Sequence, residues 1–550
     1  MLWNSKLNNI WLATLGLSAA IVVTAFGQSA APDLVLYNGK IFTSNEAHPY
    51  AQAIAIRGER ISAVGDSKTI MGLAGRNTKL LDLGGRTVIP GINDAHMHIE
   101  LEPASTVALV LKNPNPSWAE VKDAITAAVL KSPKGTMIFG EIAFAIYFDP
   151  TITRDSLDQL TPDDPVILAA ATGHAAILNS AALAKFGILD NQKDPVGGRY
   201  ERSLDGRLTG VLREYAVLQM TRTRANLTSE TDALAELRDY FSRAVKFGIT
   251  SIQDMSNAMS PDRCVALLQK TPTPIRVRVM RMPMTTPGGR DTLEGRSTTR
   301  NPTPLITVSG TKWMLDGTPL EGTLATRQAQ KALVATDANL AWSTLALTFP
   351  EKEMEAMLRE SVKNNDQLMV HVSGYPSASA MLDAMEAAGG KDVWASRRVR
   401  FEHGDGLFPD LVPHAKELGV VDIQNPAHFA LGLKIARAQP LKSLLAAGIP
   451  VALGSDGPMN PYLNIMLAST HPNRPSEAIT REQAVIAYTL TSAYAEFAEK
   501  DKGSLEPGKL ADLAVLSQDI FTVAIADLPK TTSVLTLVGG KVVYDAGFVH

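Results

Sequence analysis

The chain has one cysteine, Cys264, among its 550 residues. That excludes an intramolecular disulfide and a thiolate metal cluster, so stability has to come from a large core. An excess of charge of one sign is also missing: 53 Lys and Arg face 56 Asp and Glu, a net of -3. With no long basic or acidic run, nucleic acid and acidic lipid drop out as electrostatic partners, and a small, weakly charged ligand is expected instead. Internal repeats and low-complexity segments are absent.

Long apolar runs are missing too, apart from residues 10–26, which fall short of the roughly 20 residues that a membrane span needs. Lys6 precedes this run, and Ala25-Phe-Gly27 follows as an A-x-A-like cleavage site before Gln28. This is the plan of a secretory signal peptide over 1–27, leaving no stable membrane span after cleavage. No cysteine lies near the site to carry a lipid anchor. An export signal without disulfides predicts a periplasmic or secreted bacterial protein.

What is present is an ordinary globular composition, 45% hydrophobic and 20% charged, in a chain longer than one typical domain. Short strands separated by Asn-Gly and Gly-containing turns are expected at 34–42, 51–57 and 60–64, and again at 510–516 and 534–544. Pairing the two ends in one small sandwich would cover their edges. Between them, apolar strands alternate with helical periodicity, clearest at 231–247 and 351–364. The expected fold is α/β: a (β/α)8 TIM-like barrel with a composite β-sandwich built from both chain ends. The expected divisions are 28–88 plus 500–550 for the sandwich and 89–499 for the barrel, the latter carrying an insertion at about 102–234 near its mouth.

Several of the central strands end in potential metal ligands. His96 and His98 stand one residue apart in Pro90-Gly-Ile-Asn-Asp-Ala-His-Met-His98, and residues i and i+2 of a strand share a face. Leu368-Met-Val-His371, Arg398-Val-Arg-Phe-Glu-His403 and Val451-Ala-Leu-Gly-Ser-Asp456 have the same form. Imidazole nitrogens with a hard carboxylate suit Zn2+, with Mn2+, Ni2+ and Fe2+ open. In a closed barrel the first and last strands are neighbours, so His96 and Asp456 can meet.

These motifs, with Gly454-Ser-Asp456 and Gly503-Ser-Leu-Glu-Pro-Gly-Lys-Leu-Ala-Asp-Leu-Ala-Val515, resemble the amidohydrolase superfamily. More narrowly, they resemble the type-3 amidohydrolases, the branch that includes N-substituted formamide deformylases. The resemblance implies two divalent ions held by His96, His98, Lys312, His371, His403 and Asp456. Lys312, at the end of the fourth strand, would be carboxylated on its amine and bridge both ions, since an ammonium is donor-only. The carbamate, Asp456 and a hydroxide would offset most of the charge of the ions. An unmodified Lys312 paired with Asp316 or with substrate, beside a single ion held by the histidines, is the alternative.

The implied reaction is hydrolysis of a non-peptide C–N bond in an amide, formamide or cyclic amide by a metal-activated water. Asp456 would accept the proton of the water and return it to the leaving amine. His174, in Gly173-His-Ala-Ala-Ile-Leu-Asn179, is expected to face the substrate carbonyl or oxyanion. His428 and Tyr375 are further candidates for substrate contact. Asp254 and Glu214 are candidates to orient a ligand imidazole or to cap a helix. Glu402 should point away from His403 by strand alternation. His48, His414, His471 and His550 read as solvated. Where many relatives continue the strand-five histidine into Gly-Asp, this chain has His371-Val-Ser-Gly-Tyr375. Other readings are a mononuclear deaminase or esterase of the same fold and a non-catalytic periplasmic binding protein. Oligomeric state is left open.

Overall fold

The computed structural model describes residues 31–113, 115–321, 326–431 and 439–549; the signal segment expected at 1–27 lies outside them, as does His550. Its centre is an eight-stranded parallel sheet in sequence order: Ile92–Met97, Ile249–Ser256, Arg276–Arg281, Ile306–Met314, Leu368–His371, Arg400–Glu402, Val421–Gln424 and Val451–Leu453. Helices fill the crossovers except the one from Arg276–Arg281 to Ile306–Met314, which carries a small hairpin of Thr285–Thr286 and Gly289–Arg290 instead. Glu230–Lys246 shows why such a segment is helical: Ser229 caps its start by accepting from Asp232 N–H, acids occupy the first turn and bases the last, in accord with the helix dipole. Its buried stripe, Ala233, Leu237, Phe241, Ala244 and Val245, packs in the same apolar core as the barrel strands.

The sheet curls into a barrel whose last strand returns to the first. Asp456 N–H donates to the His96 carbonyl at 3.0 Å, and Ser455 N–H donates to the Asp94 carboxylate at 2.9 Å. Gly454 makes the approach possible, because a Cβ there would overlap the backbone of His96. This seam joins residues far apart in sequence and lets a single site draw on both. The fourth strand passes the end expected at Lys312 and runs to Met314, since Trp313 and Met314 still pair with Val370 and His371.

Both chain ends form two further sheets. Arg60–Gly65, Ala53–Arg57, Leu34–Tyr37 and Lys79–Asp82 make one; Lys541–Asp545, Ser533–Val538, Leu513–Leu516, Thr87–Pro90, Lys40–Phe42 and Tyr50–Ala51 make the other. They share a core of Leu36, Ile54, Val88, Leu513 and Leu535 among others, which is a small sandwich.

A further body is inserted between the first two barrel strands. Its six-stranded sheet runs in the order Gly198–Arg202, Leu208–Glu214, Ala175–Leu178, Val166–Ala170, Met137–Ile142, Thr106–Ala108. Apolar clusters flank it, one around Ile138 and Leu168 and one around Ile167 and Leu212. Among the described residues no helix is long and apolar enough to cross a membrane.

Candidate metal centre

Six histidines converge at the C-terminal ends of the barrel strands. Ring centroids lie 5.4 Å apart for His96 and His98, 4.9 Å for His96 and His403, and 4.4 Å for His371 and His403. His174 joins at 4.8 Å from His371, and His428 at 5.5 Å from His403. The Asp456 carboxylate sits among them. Its Oδ1 is 3.4 Å from His98 Nε2 and 3.7 Å from His96 Nε2; its Oδ2 is 3.5 Å from His428 Nε2 and 3.8 Å from His403 Nδ1. Lys312 is buried, 2% exposed.

Four of the rings are aimed by a hydrogen bond at Nδ1. The acceptors are Glu402 for His96 at 2.7 Å, the Met255 carbonyl for His98 at 2.8 Å, Asp316 for His371 at 2.8 Å and Glu214 for His174 at 2.8 Å. Each acceptor receives a hydrogen bond from Nδ1–H and so turns Nε2 toward the cluster, as outer partners of ligating imidazoles do.

Glu402 departs from the sequence expectation, and Asp316, named from the sequence only as a partner of an unmodified Lys312 in the alternative reading, holds His371. Asp316 accepts from His371, from the N–H groups of Ser373 and Gly374, and from the Ser377 hydroxyl. Glu402 was expected to face away from the site, yet it reaches His96. Strand alternation fails there because His403 follows the strand with φ 74°, so both side chains turn inward.

Burial dominates the electrostatics. It pulls the His96 imidazole down to about 4, with the Lys312 charge adding to the effect. Burial likewise lowers Lys312 to about 8, against the pull of Glu402 and Asp456. Burial works to raise the Asp456 carboxyl, but the surrounding imidazoles outweigh it and hold it well below the usual range. His174 behaves differently: burial would lower it, yet Glu214 overrides burial and raises it to about 9.

The donor set fits a divalent metal. His96 Nε2 and His403 Nδ1 are buried side-chain nitrogens with no hydrogen-bond partner among the described residues, a costly state unless something else meets them. His96, His98 and Asp456 can place one ligand atom each on a common point, and so can His403, His428 and Asp456. The amidohydrolase family model matches residues 79–544. The chain belongs to the amidohydrolase family. It is a metal-dependent hydrolase acting on carbon–nitrogen bonds. This amidohydrolase is 27% identical to the N-substituted formamide deformylase of Arthrobacter pascens over 93% of this chain and 98% of the relative. It is 28% identical to the Arabidopsis thaliana protein LONG AFTER FAR-RED 3 over 93% of this chain and 91% of that protein. Its fold is similar to that of an uncharacterized metal-dependent hydrolase from Pyrococcus horikoshii, with a TM-score of 0.64, 19% identity, and coverage of 90% of this chain and 99% of that one.

The other candidate residues are less central. Tyr375 opens a helix and gives its hydroxyl to Asp410 at 2.8 Å, with its ring 5.4 Å from Phe408. Asp254 orients no imidazole; it accepts the Ile99 N–H at 2.8 Å and so fixes the chain just after His98. His48 is exposed and His414 lies 3.6 Å from Glu386. His471 is fully buried rather than solvated, stacked 4.2 Å from Phe429 with Nε2 3.1 Å from the Gln439 carbonyl. It caps the end of its helix with φ 42°.

Proposed function

We propose that this amidohydrolase hydrolyses a C–N bond in an amide, formamide or cyclic amide of a small molecule. The observation that carries the reading is the pair of partnerless buried nitrogens, on His96 and His403, facing one carboxylate, Asp456. His96, His98, Lys312 as its carbamate, His371, His403 and Asp456 would hold two divalent ions, with zinc the leading choice. When bound, the ions supply an activated water and polarise a carbonyl.

The chain's own residues then divide the work. Asp456, an anion among imidazoles, accepts a proton from the attacking water and returns it to the departing nitrogen. His174 turns Nε2 toward the cluster and donates to the substrate carbonyl oxygen, a contact that strengthens as negative charge develops there. His428, 3.5 Å from Asp456, borders the substrate space. Glu402 and Asp316 keep their rings from rotating.

The name of the Arthrobacter pascens relative, an N-substituted formamide deformylase, makes N-substituted formamides the first substrates to try. The apolar run at 10–26 supports a periplasmic or secreted location. The test is a turnover panel of N-substituted formamides, simple amides, cyclic amides and esters, assayed before and after chelation and metal return. Amide or formamide turnover that is lost and restored with metal supports the reading. Turnover of esters alone, or of aminopurines added to the panel, would shift it to the mononuclear deaminase or esterase, and tight binding without turnover to a binding protein.

A further inference from the structure

We infer that Glu214 is a positioning residue through which the inserted sheet delivers His174 to the barrel's active site. The inference rests on the reading of His174 as a substrate-facing group and explains how a residue outside the barrel is held there.

His174 sits in the turn before Ala175–Leu178, and Glu214 is the last residue of Leu208–Glu214, the neighbouring antiparallel strand. Two hydrogen bonds tie them: Glu214 N–H to the His174 carbonyl at 2.9 Å and His174 Nδ1 to Glu214 Oε2 at 2.8 Å. A carboxylate can only accept here, so the Nδ1 proton is committed and Nε2 is left for the site.

Glu214 occupies this place in a disfavoured conformation. Its φ of 52° and ψ of -125° suit glycine and are rare for other residues. His403 and Asp456, both in the site, also have positive φ, at 74° and 36°. A glutamate kept where glycine would relax the backbone points to a function for the side chain.

The barrel contributes a matching notch. Gly317 lies just beyond Asp316, and a Cβ at Gly317 would overlap Glu214 Oε1. Next door, Tyr215 is fully buried and its hydroxyl accepts the Met314 N–H at 3.3 Å. The strand carrying Lys312 therefore seats the end of the inserted strand, and the seam between the two bodies aims the ring.

The test combines a readout on metal-free protein with kinetics. In protein labelled with 15N-histidine, His174 should show a slowly exchanging Nδ1–H signal, assigned by its loss in His174→Gln. Glu214→Gly should lose that signal while the unfolding midpoint holds or rises, because backbone strain is relieved. Glu214→Gln should keep it, since the amide oxygen still accepts. Gly317→Ala, which leaves both partners intact, should weaken it by crowding the carboxylate. On a substrate found in the panel, Glu214→Gly should lower kcat by about a hundredfold with KM within about twofold, and Glu214→Gln should recover much of the loss. A Glu214→Gly protein that keeps the signal, or that loses stability with kcat unchanged, would overturn the inference. The labelled signal decides it even if the panel yields no substrate.

Discussion

At the lower end of the barrel interior, Arg278 donates to Ser309 at 2.9 Å and to Gln367 at 2.7 Å, while Arg400 donates to Gln253, to the Ala95 carbonyl at 2.6 Å and to Glu402 at 2.8 Å. At the upper end, His96 and His403 each keep a buried nitrogen without a partner. Both ends are buried and polar, and both use side chains from several strands. In the lower network every polar side-chain atom of Arg278, Gln253, Arg400 and Gln367 that is buried has a partner among the described residues. A saturated network specifies a structure, whereas hydrogen-bonding capacity left over at low dielectric marks a place for a ligand. Glu402 belongs to both ends, with Oε1 on Arg400 and Oε2 on His96. Burial would raise its carboxyl, but Arg400 and His96 lower it to about 2, so it stays an anion that can serve both.

Substitutions at the two ends should separate accordingly. The largest effect is expected at Asp456→Asn, with kcat reduced by about 10²–10⁴ and KM changed little; near wild-type kcat with metal content intact would remove Asp456 from proton transfer. Glu402→Ala cuts the link between the ends. It should lower metal affinity about 10–100-fold and destabilise the fold by about 3–5 kcal/mol, because Arg400 is left buried without its partner. Metal titration and denaturant unfolding measure the two losses separately. Arg278→Met, confined to the lower end, should cost about 1–3 kcal/mol from acceptors left unpaired, with kcat and metal content unchanged. A loss of metal in that variant would break the distinction between the ends.

The upper end was largely legible in the sequence, and the lower network was not. The His96 and His98 spacing, the apolar runs ending at His371 and His403, and the Gly454-Ser-Asp456 turn all marked strand ends, and the barrel brings them together. The helix predicted at 351–364 is present as Glu351–Asn364. Of the partners of the imidazoles, Glu214 was a candidate from the sequence and holds His174, whereas the roles of Asp316 and Glu402 were not legible. Asp316 lies beyond its strand in a turn that folds back on His371, and Glu402 is misread by strand alternation because of the positive φ at His403. His471 looked like a solvated residue, yet it is buried against Phe429 and the Gln439 carbonyl, contacts made with a segment far from its helix in sequence.

A smaller effect, dependent on pH, is expected beside the lower network. Asp366 is paired with Arg281 at 2.6 Å and Arg296 at 3.1 Å; burial would raise its carboxyl, but Arg281, Thr311 and Gly310 outweigh burial and lower it. A depressed folded value gives stability that is present above the unfolded value of about 3.9 and lost as pH falls through the folded one. The stability gap between wild type and Asp366→Asn should therefore be open at neutral pH and close under acid. A gap that persists in acid would mean that lost packing, not charge, sets it. The smallest effect belongs to the surface: Asp239→Asn, which breaks the exposed pair with Arg243, should shift stability by less than about 0.5 kcal/mol.

The measurement that bears most directly on the upper end is the metal-to-protein ratio, by elemental analysis, of protein produced with bicarbonate and zinc or manganese. A ratio near two is expected for a centre bridged by carboxylated Lys312. A ratio near one would contradict the bridged pair, and a protein that takes up no divalent ion after supplementation would contradict the metal-dependent hydrolase itself.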